Sequence, residues 1–113
     1  MRQFLTTVHV VNEEEGQCFD LDYYILSKEK TIEGEAALRF GVEIYKRAKR
    51  RDGRPYIEYR KLFDLFGTEG EAEEFLYLLA RNSVTPIAVK DIAEDVLGIT
   101  EFVSEFDLKT LAV

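Results

Sequence analysis

The chain of 113 residues is 46% hydrophobic, carries eight Phe, six Tyr and one Cys, and has a formal net charge of −7. That length and apolar content suffice for one domain with its own core, which excludes a wholly disordered chain, and the lone Cys18 excludes an intramolecular disulfide or a Cys-rich zinc site. No stretch approaches the ~20 apolar residues of a membrane span or the core of a signal peptide, so a reducing cytoplasm is the expected compartment, and the negative charge argues against indiscriminate polyanion binding.

Phe4–Val11 is dense in β-branched and aromatic residues and predicts a strand. Asn12–Gln17 reads as a polar turn with Gly16 available for positive φ. Phe19–Leu26 alternates, with Phe19, Leu21, Tyr23 and Ile25 on one face and Asp20, Asp22 and Tyr24 on the other, the period of a half-buried strand. Residues 4–26 are therefore expected to form a hairpin, and polar Lys28–Glu35, with Gly34, a connection. Leu38, Val42 and Tyr45 fit a helical stripe, whereas Leu38, Phe40, Val42 and Ile44 fit strict alternation. Gly41 and the enrichment in Phe, Val, Ile and Tyr favour a strand. Asp52-Gly53 is a two-residue type I′ hairpin signal. That turn would set Arg47 against Glu58, Tyr45 against Arg60, Lys49 against Tyr56 and Ile44 against Lys61, making 38–63 a second hairpin.

After Gly67 the period changes. Thr68-Glu69-Gly70-Glu71 matches a capping box, and Ala72, Phe75, Leu76 and Leu79 follow at helical spacing. Acidic Glu69, Glu71, Glu73 and Glu74 suit the positive end of the helix dipole, and the helix should stop near Asn82. Val89, Ile92, Ala93, Val96 and Leu97 form a second apolar stripe closed by Gly98. Its start has two readings: Thr85-Pro86 as N-cap and first helical residue, or an extended Val84–Val89 with Asp91 as the cap. The tail, Ile99–Val113, has Ile99, Phe102, Val103 and Phe106 at helical spacing, yet also fits a strand or a docking segment. The expected fold is α+β: one domain, 1–113, with a four-stranded antiparallel sheet of two hairpins (4–63), two helices on one face (68–98) and an unassigned tail (99–113).

No catalytic or metal-binding constellation emerges. His9, the only histidine, has no nameable proton donor or orienting partner and reads as structural. Cys18 lies beside Asp20 and Asp22, whose charges work against a thiolate. Those carboxylates share a strand face about 7 Å apart, a spacing also used in glycoside hydrolysis but common on solvated faces. The run Glu69–Glu74 and the trio Asp91, Glu94 and Asp95 read as solvated helix faces rather than cation ligands. Gly67–Gly70 lacks the lysine of a phosphate loop. No cofactor is expected.

One feature rises above this background. Lys46–Lys61 holds eight basic and two acidic residues, a net +6, against seven basic and twenty acidic in the remainder, a net −13. Lys46, Arg47, Lys49, Arg50, Arg51, Arg54 and Tyr56 are the candidate interaction surface. They suit a protein or self contact, phosphate contacts with base stacking, or a solvated tip whose cations discourage edge aggregation.

Leu65-Phe66, Ala72, Phe75-Leu76, Leu78–Asn82, Val84-Thr85-Pro86, Asp91-Ile92 and Glu94-Asp95, with Phe40–Ile44 before them, resemble a small family of uncharacterised proteins from clostridia and related Firmicutes. The resemblance implies a cytosolic bacterial protein and carries over no functional residue. The expectation is thus a non-catalytic accessory or regulatory domain contacting a protein or itself. A nucleic-acid module using 46–61 and a small carboxylate enzyme are the alternatives.

Overall fold

The computed structural model describes residues 1–12, 14, 16–99 and 102–111. Chain order is β1 (Arg2–Asn12), β2 (Gln17–Ile32), β3 (Glu35–Lys49), β4 (Pro55–Phe66), α1 (Glu69–Arg81), α2 (Val89–Leu97) and β5 (Ser104–Thr110). The strands form one antiparallel sheet in the order β1-β2-β3-β4-β5. The α+β class is as expected, but the sheet has five strands rather than four. Gly98 ends α2 in the left-handed region (φ 66°), and the tail then lies along β4, where its main chain finds ladder partners. Of the expected turn 12–17 and tail 99–113, residues 13, 15, 100, 101, 112 and 113 lie outside the described residues.

Two turns differ from expectation, and the differences are linked. Lys28–Glu35 is no connection: it is the far end of the β2–β3 ladder, closed by Glu33 and Gly34, both at positive φ (51° and 82°), between paired Ile32 and Glu35. The positive-φ dipeptide of a two-residue hairpin is therefore here. At Asp52-Gly53 the loop holds three residues instead. Gly53 N–H bonds to Arg50 O (2.9 Å), Arg50 N–H bonds to Arg54 O (2.8 Å), and Gly53 takes φ 85°.

The extra loop residue slips the β3–β4 register by one. Lys46 opposes Glu58, Tyr45 opposes Tyr59, Ala48 opposes Tyr56 and Ile44 opposes Arg60, so none of the expected cross-strand pairs forms. Because side chains alternate, a slip of one exchanges the faces on β4. Ile57 moves to the outer face opposite Arg47, and Glu58 joins the helix side.

The core lies between the helices and one sheet face. Leu21, Tyr23 and Ile25 of β2, Val42 and Ile44 of β3 and Leu62 of β4 meet Ala72, Phe75, Leu76 and Leu79 of α1 and Val89 and Ala93 of α2. Each such aliphatic or phenyl side chain contributes roughly 1.5–3 kcal/mol on burial. Buried Tyr23 donates its hydroxyl to Val84 O (3.0 Å), and burial pushes its pKa up.

Helix ends follow the chemistry of their residues. Thr68 caps α1: its hydroxyl accepts from Glu71 N–H (3.2 Å) and donates to the Glu71 carboxylate (2.9 Å). α1 closes in a Schellman motif. Val84 N–H bonds to Leu79 O (3.0 Å) and Ser83 N–H to Ala80 O (3.1 Å), with Ser83 at φ 49°. Ahead of α2, Ala88 and Val89 N–H groups bond back to Thr85 O at 3.1 Å each, so Thr85–Ala88 is a turn leading into the helix. The extended reading of Val84–Val89 with Asp91 as cap does not hold, and the helix is capped at Ala88 rather than begun at Thr85-Pro86.

Candidate interaction cleft

At one end of the sheet the two hairpins part. The β2–β3 ladder ends at Asp20↔Arg47, while β1–β2 continues to Asn12↔Gln17 and β3–β4 to Lys49↔Pro55. Between them opens a cleft of about 690 Å³, inside the 300–1,000 Å³ range of ligand sites. Gln17, Cys18 and Phe19 form one wall, and Ala48, Lys49, Arg50 and Arg51 the other; His9, Asp20 and Arg47 sit where they meet.

Below the cleft, the helix-free face of the sheet is a self-satisfied layer of charge. Asp22, only 6% exposed, accepts from Arg47 Nε (2.8 Å) and Nη2 (3.1 Å) and from the Thr7 hydroxyl (2.7 Å). Burial pushes the Asp22 carboxyl pKa up, but the hydrogen bonds from Arg47 and Thr7, with the charges of Arg47 and Arg2, outweigh this and hold it below the usual carboxylate range. Asp20 joins His9 Nδ1 (2.6 Å) to Arg47 (3.6 Å). Glu43, 2% exposed, accepts from Arg2 Nε at 2.6 Å. The Arg2 guanidinium also lies 3.5 Å from the Tyr24 ring centroid. Tyr45 and Tyr59 stack on each other (6.3 Å between centroids, 11° between planes), and the Tyr59 hydroxyl donates to Glu105 at 2.9 Å.

These contacts locate the residues singled out from the sequence. His9, Asp20 and Asp22 come together with Arg47. Asp20 is the orienting partner that sequence alone could not name for His9, and Asp22 is buried rather than solvated. Cys18 is exposed on β2. The acidic residues of α1 and α2 gather no ligand set: among the described residues, no group of three or more His, Cys, Asp or Glu is placed to hold a metal ion.

The basic segment divides by register. Arg47 is bound in the outer layer. Lys46 points to the helix side, its ammonium 4.4 Å from the Phe19 ring centroid and 5.5 Å from that of Tyr56. Arg50 lies over Tyr56 (5.2 Å), Arg54 stands 3.7 Å from Asp52, and Lys49, Arg51 and Arg54 are exposed at the tip.

Sequence reasoning missed Arg2, Glu43 and Glu58. Glu43 and Glu58 are each flanked by strand-forming residues (Val42 and Ile44; Ile57 and Tyr59), the only signal that a carboxylate would be enclosed. Glu58, opposite Lys46, is 3% exposed, and its Oε1 has no hydrogen-bond partner among the described residues.

A family model described as Family of unknown function (DUF6514) matches residues 2–98. The chain belongs to this family. The match takes in β1–β4 and both helices, hence both walls of the cleft, and stops before β5. No curated protein and no solved structure matches the chain. Among the described residues no helix is long and apolar enough to cross a membrane.

Proposed function

We propose that this domain is a non-catalytic contact module that engages an acidic surface of a partner protein, or of a second copy, through its basic hairpin. The observation that carries the reading is the division of cations. Arg2 and Arg47 are bound to carboxylates, whereas Lys49 and Arg51 stand exposed on one cleft wall. Exposed charge of one sign steers association with a surface of the other sign.

Nucleic-acid stacking draws less support. On the outer face the cations around the tyrosines are already matched by carboxylates: Arg2 by Glu43, Arg47 by Asp22 and Asp20, and Lys109 by Asp107. The Tyr24, Tyr45 and Tyr59 rings there are already covered by Arg2 or by each other. Catalysis draws less still. His9 and Asp20 line a concavity, but Asp20 and Asp22 are both engaged by Arg47.

Pull-down with the full chain, paired with light scattering at low and high salt, tests this. A partner or dimer lost at high salt and lost in the Lys49→Glu/Arg51→Glu variant is expected. A strict monomer with no salt-sensitive partner overturns the reading.

A further inference from the structure

We infer that the fork between the hairpins accepts an extended acidic segment of a partner protein as an added strand. This rests on the reading of the basic hairpin as a contact surface and names what that surface holds.

Main-chain direction is the starting point. Arg50 N–H bonds to Arg54 O, so Arg50 turns its main chain toward β4. In an antiparallel ladder successive residues turn to opposite sides. Lys49 therefore presents its N–H and C=O to the fork, as Arg47 presents its own to Asp20. By the same parity Cys18 presents its main chain from β2. Cys18 and Lys49 would be the next narrow pair, but the β2–β3 ladder stops at Asp20↔Arg47.

Cys18 and Lys49 thus each turn an N–H and a C=O toward the fork, groups that a peptide main chain complements in strand addition. The charge of the occupant follows from the side chains alongside. Lys49 and Arg51 line the cleft as exposed cations, and its one carboxylate among the described residues, Asp20, is engaged by His9 and Arg47. A nucleic-acid strand fits less well. Its phosphates would meet carbonyl oxygens as often as N–H groups, and on the adjoining face Arg2, Arg47 and Lys109 are already held by carboxylates.

The test is fluorescence anisotropy of the intact chain with three probes: an alternating Glu-Val octapeptide, the same octapeptide N-methylated at every second residue, and an eight-nucleotide oligothymidine. N-methylation keeps the charge and removes the ladder donors. The parent peptide should bind, lose about tenfold or more in affinity on N-methylation, and lose affinity again in Lys49→Glu and in Arg51→Glu. Amide hydrogen exchange at Lys49 should slow when the parent peptide is bound. Equal binding of both peptides, with no change at the Lys49 amide, overturns strand addition while leaving the contact reading intact. Binding of neither peptide, together with a monomer indifferent to salt, overturns both. Tighter binding of the oligothymidine than of the parent peptide overturns the acidic-peptide assignment.

Discussion

At Gly41 β3 passes so close to β4 that a Cβ would collide with the Leu62 carbonyl oxygen and stand 3.0 Å from Phe63 Cα. The ladder explains why: Phe40 pairs with Phe66 and Val42 with Leu62, so Phe63–Leu65 bulge opposite a single residue. Asp64, at φ 56°, is fixed there by Lys30 and Arg39. We expect Gly41→Ala to destabilise by about 2–3 kcal/mol, since backbone must move to admit the methyl, with a fall in Tm on the order of 10 °C. An unchanged melting temperature contradicts the close approach. The sequence shows Gly41 inside an alternating strand, which marks either a bulge or a near neighbour. Only the placement of β4 decides which. His9 and Asp20 illustrate the same limit, because their pairing depends on the β1–β2 register that brings them opposite each other.

Among the elements, α1 was legible from cap to cap, since its signals are local: Thr68 with Glu71, the apolar stripe, and a stop near Asn82. Its one costly feature is Ser83 in the left-handed region, a conformation that disfavours a Cβ. Ser83→Gly should stabilise by about 0.5–1 kcal/mol, net of the added freedom of the unfolded chain. Urea denaturation checks this, and a lower midpoint would show that the serine side chain contributes more than its strain. Strand ends were less legible. Lys28–Ile32 buries neither face, so it shows no hydrophobic alternation to read. Glu33 is an uncommon residue for its positive φ, whereas Asp52-Gly53 carries the usual signature but closes a three-residue loop. β5 combines Phe106 and Leu108 with Glu105, Asp107 and Lys109, an edge pattern that gains its identity only from lying beside β4.

The whole molecule measures 53 × 28 × 24 Å. Its length comes from strands of 15 and 16 residues that outrun a 13-residue helix, at ~3.3 Å against 1.5 Å per residue. Hairpin ends therefore project past the covered core, and the basic loop is one of them. Carboxylates anchor the sheet at two places, with a consequence for acid stability. Hydrogen bonds from Lys30 and then Arg39 hold Asp64 below the usual carboxylate range, and Asp22 is lowered as well despite its burial. Folded values below the unfolded value of about 3.9 contribute stability that is complete above that pH and lost as the pH falls through the folded values. Urea midpoints should therefore decline from about pH 4 downward. Asp22→Asn/Asp64→Asn should be less stable at pH 7 and flatter below pH 4; an equally steep acid decline would assign the loss to other groups.

Class, the capping of the first helix and the concentration of positive charge in Lys46–Lys61 were determined by the sequence alone, because each depends on residues a few positions apart. Register, face and fate of each charge were decided by tertiary structure. A single added loop residue moves Glu58 to the helix side, and pairings across 25 to 41 residues bind Arg47 to Asp22 and Arg2 to Glu43. Which cations are held by carboxylates is settled by those long-range pairings, and no local pattern encodes them.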